Sequence, residues 1–490
     1  MFIKEKRNIY KKSSIFLGKS IMAGIAAAAV INPTPLGDIA GIVSALRASF
    51  RKRCDEGIGG DASAADLDRR RSLLLSVKNL VKENEDALLE AVTKDLGRHP
   101  SFTKKIIAGC SAGAQKCIDN LEAWTAKREK GSAWGNPCEV HYLPRGVVLI
   151  VGTWNFPVPL VLKPLCAALA AGNNVIIKLS EVCENVSALL GPLIEKYLPS
   201  DAVRVVLGAI PESTELLKQK FDMIFYTGNT FVGKVIMRAA AEHLTPCVLE
   251  LGGKNPAIVA ADANLRAAAK KIIDGRMKNT GQFCVAPDHV IADESIKDEL
   301  VKHMVDAVRE FWGPNAQQSP SYSRIINRRH AKRLVGLLES NHGGKVACGG
   351  THDVSDRYVA PTIIVDPAES SDLMQSEIFG PILPVTSFPS GKIARVVETV
   401  NSRPSPLALY VFTSSDDIAD CIITRIHSGG ACVNDVIIHM LNEVLPFGGC
   451  GASGMGSYHG EYGFKAFSHE KGVMRAKSAD DGGKRYPPYA

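Results

Sequence analysis

Between residues 147 and 251 short apolar runs alternate with amphipathic stretches, and few folds accommodate that rhythm. Runs at 147–151, 175–178, 204–207, 223–226 and 248–251 read as buried strands; the stretches at 159–171, 182–197, 212–219 and 230–242 read as helices. Strands separated by helices of this length imply a parallel sheet covered on both faces, an α/β doubly wound arrangement. Such sheets bind ligands beyond the carboxyl ends of their strands. Here those ends are followed by Thr153-Trp154-Asn155-Phe156, by Leu179-Ser180-Glu181 and by Thr227-Gly228.

One of these ends, FYTGNTFVGK, matches all but the final position of the phosphate loop G-x-x-x-x-G-K-[ST] through Gly228, Gly233 and Lys234. The next residue is Val235, which cannot supply the hydroxyl that holds magnesium beside a nucleoside triphosphate. A triphosphatase is excluded. The helix start could hold an anion through backbone N–H groups alone, or the glycines could serve only close packing; both readings stand. A G-x-G-x-x-G also occurs at Gly449–Gly454, but it follows NEVLPF and opens no apolar helix, so it is not a dinucleotide fingerprint.

A helical region at 39–96 precedes the alternating segment, and a second α/β region at 255–435 follows it, with strands at 257–260, 359–365 and 409–412. The net charge of +7 is concentrated at the front. Residues 1–37 hold six basic side chains against Glu5 alone, a net of +5, which leaves +2 for the rest. That balance gives no support to nucleic-acid binding. The 12 cysteines form no C-x-x-C pair, which argues for reduced thiols and against both a disulfide framework and a zinc site. The basic lead and the apolar run at 21–31 fit a targeting segment or membrane-associating lead, or an upstream extension with Met22 as the working start. No run in the chain is long enough for a transmembrane anchor.

In KNTGQFCVA, at 278–286, a glycine and polar residues lead to Cys284. Such a loop could present the thiol at a helix start, where the dipole would lower its pKa, or the cysteine could be an inert packing residue.

Together the motifs WNFP (154–157), KLSE (178–181), YTGNTFVGK (226–234), LELGGKNP (249–256), GQFCVAPD (281–288), EIFGP (377–381) and PFGG (446–449) resemble the aldehyde dehydrogenases, in the family's order. CVAPD, PFGGCGASGMGSYHG and GFKAFSH resemble its class 3 branch, although the hydrophobic C-terminal anchor of some class 3 members has no counterpart here. The resemblance implies a variant Rossmann cofactor domain at 38–122 and 146–250 and a catalytic domain at 251–435. It also implies small β bridging or oligomerisation elements at 123–145 and 436–470, flanked by an extension at 1–37 and a tail at 471–490.

It further implies roles for individual residues. Thr227, Gly228 and Gly233 would lie near the pyrophosphate and nicotinamide, with Trp154 and Lys178 helping to hold the cofactor. Glu377 would hold the nicotinamide ribose, and Phe379 would pack on its ring. Leu179 stands where many members have proline. An aldehyde carbon has no leaving group, so hydride departs readily only after a nucleophile has made the carbon tetrahedral. Cys284 would be that nucleophile. The Asn155 amide and the cysteine N–H would receive the oxyanion, and Glu250 would activate the water that hydrolyses the thioester. No metal is implied. Glu181 can accept a hydrogen bond from the adenosine 2′-hydroxyl, which favours NAD, while Lys178 beside it leaves NADP usable.

The implied substrates are medium- to long-chain aliphatic or aromatic aldehydes, such as those from lipid peroxidation, and the implied assembly is a cytoplasmic homodimer bridged by 138–142 and the segment beyond Asn434. A CoA-acylating relative would be expected to lack Glu250, and a non-catalytic redox-sensing or structural descendant would need no intact Cys284, Glu250 and Asn155.

Overall fold

The computed structural model describes residues 31–57 and 63–476, together with Pro487. The basic lead, nearly all of the apolar run after it and most of the C-terminal tail lie outside the described residues. Four helices come first: Leu36–Asp55, Ala64–Glu83, Glu85–Leu96 and Pro100–Thr125. The Ser63 hydroxyl accepts from the Asp66 N–H and caps the second. Leu73, Leu74, Val77, Leu80 and Val81 form its buried stripe. The fourth helix was not foreseen and runs through the expected boundary at 122–123. Its buried face is built of Cys110, Ser111, Ala114 and Cys117 between Ile107 and Leu121, a weak contrast that hides the helical period.

A hairpin follows, β1 (Arg128–Ala133) and β2 (Asn136–Pro144), and then the alternating segment, with β3 (Val147–Val151), β4 (Asn174–Lys178), β5 (Val203–Val206), β6 (Met223–Thr227) and β7 (Cys247–Glu250). These five strands are parallel in the order β7-β6-β3-β4-β5, a doubly wound sheet as expected.

The second α/β region contains β8 (Pro256–Val259), β9 (His289–Asp293), β10 (Lys345–Cys348), a separate hairpin of β11 (His352–Asp353) and β12 (Tyr358–Val359), β13 (Thr362–Val365), β14 (Ile382–Phe388), β15 (Ala408–Phe412) and β16 (Gly430–Val433). Seven of these run β10-β13-β14-β9-β8-β15-β16, parallel except for β10. The single strand expected at 359–365 is two strands, because Pro361 has no N–H to donate and breaks the ladder. The strands β9, β10, β11, β14 and β16 were not foreseen; β14 carries Pro384 in its interior.

Two short elements close the fold. β17 (Gly454–Met455) pairs antiparallel with the edge strand β7, placing Gly454 opposite Glu250. A Cβ at Gly454 would lie 2.1 Å from the Leu249 carbonyl oxygen. The glycines of 449–454 therefore serve a tight backbone approach, not a dinucleotide. β18 (Ser468–Met474) pairs with β2 to complete a three-stranded ribbon, and runs past the expected segment end at 470. Among the described residues no helix is long and apolar enough to cross a membrane, and no group of three or more His, Cys, Asp or Glu is placed to hold a metal ion.

Candidate active site

The carboxyl ends of β3, β4, β6 and β7 open on one side of a cleft of about 730 Å³. The loop bearing Cys284 and the segment Glu377–Phe379 form the other side. Lys178, Glu181, Thr227 and Gly228 line the sheet side, Trp154 and Phe379 the mouth, and Asn155, Glu250, Cys284 and Glu377 the depth. Every residue proposed from sequence lines the cleft except Gly233. It lies on the buried face of the helix Thr230–Ala241, where an added Cβ would lie 3.0 Å from the Leu251 side chain. Of the two readings of that glycine, close packing is the one its position fits.

The sheet side has free polar capacity. Lys178 is buried, with its ammonium on the Leu179 carbonyl at 2.6 Å and on Glu181 at 3.5 Å. Burial lowers its pKa, and Glu181 opposes that shift. Glu181 itself is exposed, so its carboxylate is available. The Thr227 hydroxyl is buried without a partner. Gly228 is required where it stands, because a Cβ there would meet the Tyr226 hydroxyl at 2.0 Å. Its N–H donates to the Glu250 carbonyl at 3.0 Å. Just beyond, the Asn229 side chain accepts from the Val232 N–H at 2.9 Å and starts a helix aimed at the cleft. An exposed carboxylate, a buried cation, an unpartnered hydroxyl and a helix N-terminus suit the ribose and pyrophosphate of a dinucleotide. Val235 lines the same wall where a magnesium ligand would otherwise stand.

The other side is held under strain. Asn279, Thr280 and Gly281 are successively left-handed, with φ of 53°, 55° and 72°. For the two that are not glycine this costs on the order of 1 kcal/mol each. Long-range bonds compensate. Arg98 donates to the Asn279 side chain at 3.0 Å and to the Asn155 carbonyl at 2.5 Å. Asn279 donates to the carbonyls of Asn155 and Gln282 at 3.2 and 3.0 Å. Gln282 bonds to Arg324 and Ile326. After the turn, Asn255 donates to the carbonyls of Cys284 and Ala286 at 2.7 and 3.0 Å, and the Tyr410 hydroxyl donates to Val285.

Cys284 is therefore in a turn and not at a helix start, which corrects the expectation of a dipole-lowered thiol. Burial pushes the thiol up, and the carboxyls of Glu377 and Glu250 add to that; its own N–H and that of Val285 pull the other way. Glu250 is 2% exposed, neither carboxyl oxygen has a hydrogen-bond partner, and burial raises it well above the usual range. The Asn155 amide donates to the Gln282 carbonyl at 3.2 Å. Burial and then Asp288 push Glu377 up to about 8, against the Gly253 N–H, Arg276 and Arg333. Its carboxyl folds so closely over Gly252 that a Cβ there would sit 2.2 Å from one oxygen. At the mouth the Trp154 ring meets Phe379 edge-on at 5.3 Å and His330 at 5.1 Å.

A family model for the aldehyde dehydrogenases matches residues 28–473. The chain belongs to the aldehyde dehydrogenase family. As a member it catalyses the NAD(P)-dependent oxidation of aldehydes. It is 47% identical over 467 residues to the dimeric NADP-preferring aldehyde dehydrogenase of Mus musculus, covering 92% of this chain and 98% of that one. It is 42% identical over 426 residues to aldehyde dehydrogenase family 3 member A2 of Pongo abelii, covering 86% and 87%. Among solved structures it resembles the substrate-bound state of Staphylococcus aureus AldH, with a TM-score of 0.86 at 36% identity over 91% of this chain and 96% of that one. The loop bearing Cys284 is also held by residues that the sequence did not single out. Asn255, Asn279 and Gln282 stood inside quoted motifs and could have been singled out. Arg98, ahead of a helix, and Tyr410, in a buried strand, carried no signal.

Proposed function

We propose that the enzyme oxidises medium- to long-chain aliphatic or aromatic aldehydes to carboxylic acids by a hydrolytic route through Cys284. The observation that carries this reading is Glu250, buried in the same cleft as Cys284 with both carboxyl oxygens unpartnered. A buried base left without a partner is suited to taking a proton from water. Cys284 gives up its proton to solvent and its thiolate adds to the aldehyde carbon. The developing oxyanion is received by the Asn155 amide and the Cys284 N–H. Bound NAD(P) supplies the hydride acceptor. The Cys284 thioester is then opened by a water whose proton passes to Glu250.

Lys178, Glu181, Thr227 and Gly228 would take the adenosine and pyrophosphate side of the dinucleotide. Glu377 would take the nicotinamide ribose, with Trp154 and Phe379 about the ring. NAD is the preferred partner in this reading because Glu181 repels a 2′-phosphate, and NADP is accepted because Lys178 stands 3.5 Å away. The relative from Mus musculus is named NADP-preferring, which supports the use of NADP and runs against the preference for NAD.

The same name includes "dimeric", which supports a homodimer, and the β1-β2-β18 ribbon is its proposed bridge. The division into a cofactor part at 38–122 and 146–250 and a catalytic part at 251–435 belongs to the proposal. So does a cytoplasmic setting, supported by twelve cysteines none of which is bonded to another. Nicotinamide absorbance at 340 nm with a panel of aldehydes, with and without coenzyme A, tests the reading. Turnover independent of coenzyme A is expected; turnover that requires it would replace hydrolysis by acyl transfer.

A further inference from the structure

Asp288 does not line the cleft, and no step above uses it. It is nevertheless where the segments bearing the reacting groups meet. It is 1% exposed. One carboxylate oxygen accepts from the Lys254 ammonium at 2.6 Å. The other accepts from the Arg276 guanidinium at 3.2 Å and from the Ile378 N–H at 3.0 Å. Its own N–H donates to the Asn255 carbonyl at 2.8 Å. Asp288 is thus bonded to the turn after Gly252–Gly253, to the helix Leu265–Met277 and to the residue that follows Glu377.

The cations it meets differ in what else they hold. Lys254 also donates to the carbonyls of Leu373 and Ser376, at 2.8 and 3.2 Å, and is fully engaged. Arg276 is buried with two of its nitrogens, Nε and one terminal amine, lacking any partner. Its remaining bonds are those to Asp288 and to the Pro287 carbonyl. A buried guanidinium with unused donors attracts any carboxylate within reach. Glu377 is the adjacent carboxylate: it directly precedes Ile378, whose N–H Asp288 holds, and the charges that act on it are those of Asp288, Arg276 and Arg333, with the Cys284 thiol in the same cleft. Arg333 already donates to the Ile378 carbonyl at 2.6 Å.

We propose that Asp288 is a positioning residue for cofactor binding, which neutralises Arg276 and so leaves the Glu377 carboxylate free to accept the hydroxyls of a ribose. This rests on the cofactor role proposed for Glu377. In Asp288→Asn the amide oxygen can keep the Ile378 N–H, but the charge is gone. Glu377 then loses a like-charged neighbour and ionises at lower pH, and its carboxylate pairs with the unused donors of Arg276 in place of the ribose.

The test is NAD binding to the full chain without aldehyde, read by tryptophan fluorescence between pH 6 and pH 9. Asp288→Asn should raise the Kd for NAD about tenfold, the scale of one lost charge-assisted hydrogen bond. It should also move the pH dependence of binding to lower pH, which a loosened fold would not do. Adding Arg276→Gln should return Kd to within about threefold of wild type, because the guanidinium that competes for Glu377 is then gone, while Lys254 keeps the Leu373 and Ser376 carbonyls. Unchanged binding in the single variant overturns the proposal, as does weakened binding that the second change does not restore. Should the single variant not fold, the double variant decides alone: near-normal Kd supports the proposal and a large loss overturns it. Glu377→Gln in the same assay separates the two layers. Normal NAD binding in that variant refutes the role of Glu377 itself, whatever Asp288 does.

Discussion

On the sheet side of the cleft Lys178, Thr227 and Glu250 stand directly at the ends of β4, β6 and β7, whereas Cys284 reaches its place only through a left-handed turn pinned from residues 98, 255, 279 and 410. The first wall is a by-product of strand register, and each functional side chain emerges where its own strand stops. The second wall is assembled from distant parts of the chain. Long-range assembly makes that wall exact in position and dependent on bonds that no local motif announces. It follows that substitutions on the two walls should fail differently: remote changes should damage the reacting side, and only local ones the cofactor side.

The largest effect is expected at the nucleophile. Cys284→Ser should lower aldehyde oxidation by at least about a thousandfold, since a serine hydroxyl is far less ionised than a thiol, while NAD binding stays within about twofold. Steady-state kinetics with equilibrium binding checks both halves; near-normal turnover would move the nucleophile elsewhere, with Cys247 next to be tested.

Arg98→Gln comes next and probes the wall directly. Arg98 is buried, and burial lowers it to about 9. Removing its fork leaves the Asn279 side-chain oxygen without that donor, at roughly 1–3 kcal/mol, and leaves the Asn155 carbonyl with the Asn279 amide alone. We expect kcat to fall about ten- to a hundredfold while KM for NAD changes little, because the Arg98 hydrogen bonds go to Asn155 and Asn279 and to none of Lys178, Glu181, Thr227 or Gly228. An equal rise in KM would erase the distinction between the walls.

The same contrast explains what was legible in the sequence. β3, β4, β6 and β7 were found within a residue because they are short, apolar and bounded by turn residues, so local pattern and burial agree. The residues after them came with the strands. The helix Pro100–Thr125 hid behind small residues and cysteines, and β14 hid behind Pro384. The Cys284 loop was visible as a motif but its conformation was not. Asn279 and Thr280 take positive φ in a turn held from outside the motif, in part by Arg98, 181 positions from Asn279 in the chain, which donates to the Asn279 side-chain oxygen. The expected helix start at Cys284 failed for that reason: a glycine followed by apolar residues resembles a cap, and the bonds that decide otherwise are tertiary.

A pH experiment sharpens the comparison at Glu377. Its carboxyl is raised in the folded protein to about 8, above the unfolded value of 4.5, so the native state holds the extra proton between those values. Native stability contributed by this group is full below the unfolded pKa and is lost as pH rises toward about 8. Glu377→Gln removes the loss. The cofactor-free variant should therefore melt several degrees above wild type at pH 8.5, with the gap closing toward pH 5. A constant gap across that range would mean that burial of Glu377 is not what the variant relieves.

A smaller effect is expected at Glu181, on the sheet side. Glu181→Gln should narrow the ratio of kcat/KM between NAD and NADP by about three- to tenfold without altering Cys284 chemistry, because the side chain is exposed and the charge partly screened. Equal loss with both cofactors would show that Glu181 does not select between them.

The central claim is that Glu250 is kept unpartnered for the water-activating step and is dispensable before it. Rapid mixing of Glu250→Gln with NAD and aldehyde, read at 340 nm, tests this most directly. The account predicts a burst of reduced cofactor near one equivalent per active site, followed by a steady rate reduced about a hundredfold or more. Absence of the burst, with cofactor binding intact, would contradict it and assign Glu250 to activation of the Cys284 thiol.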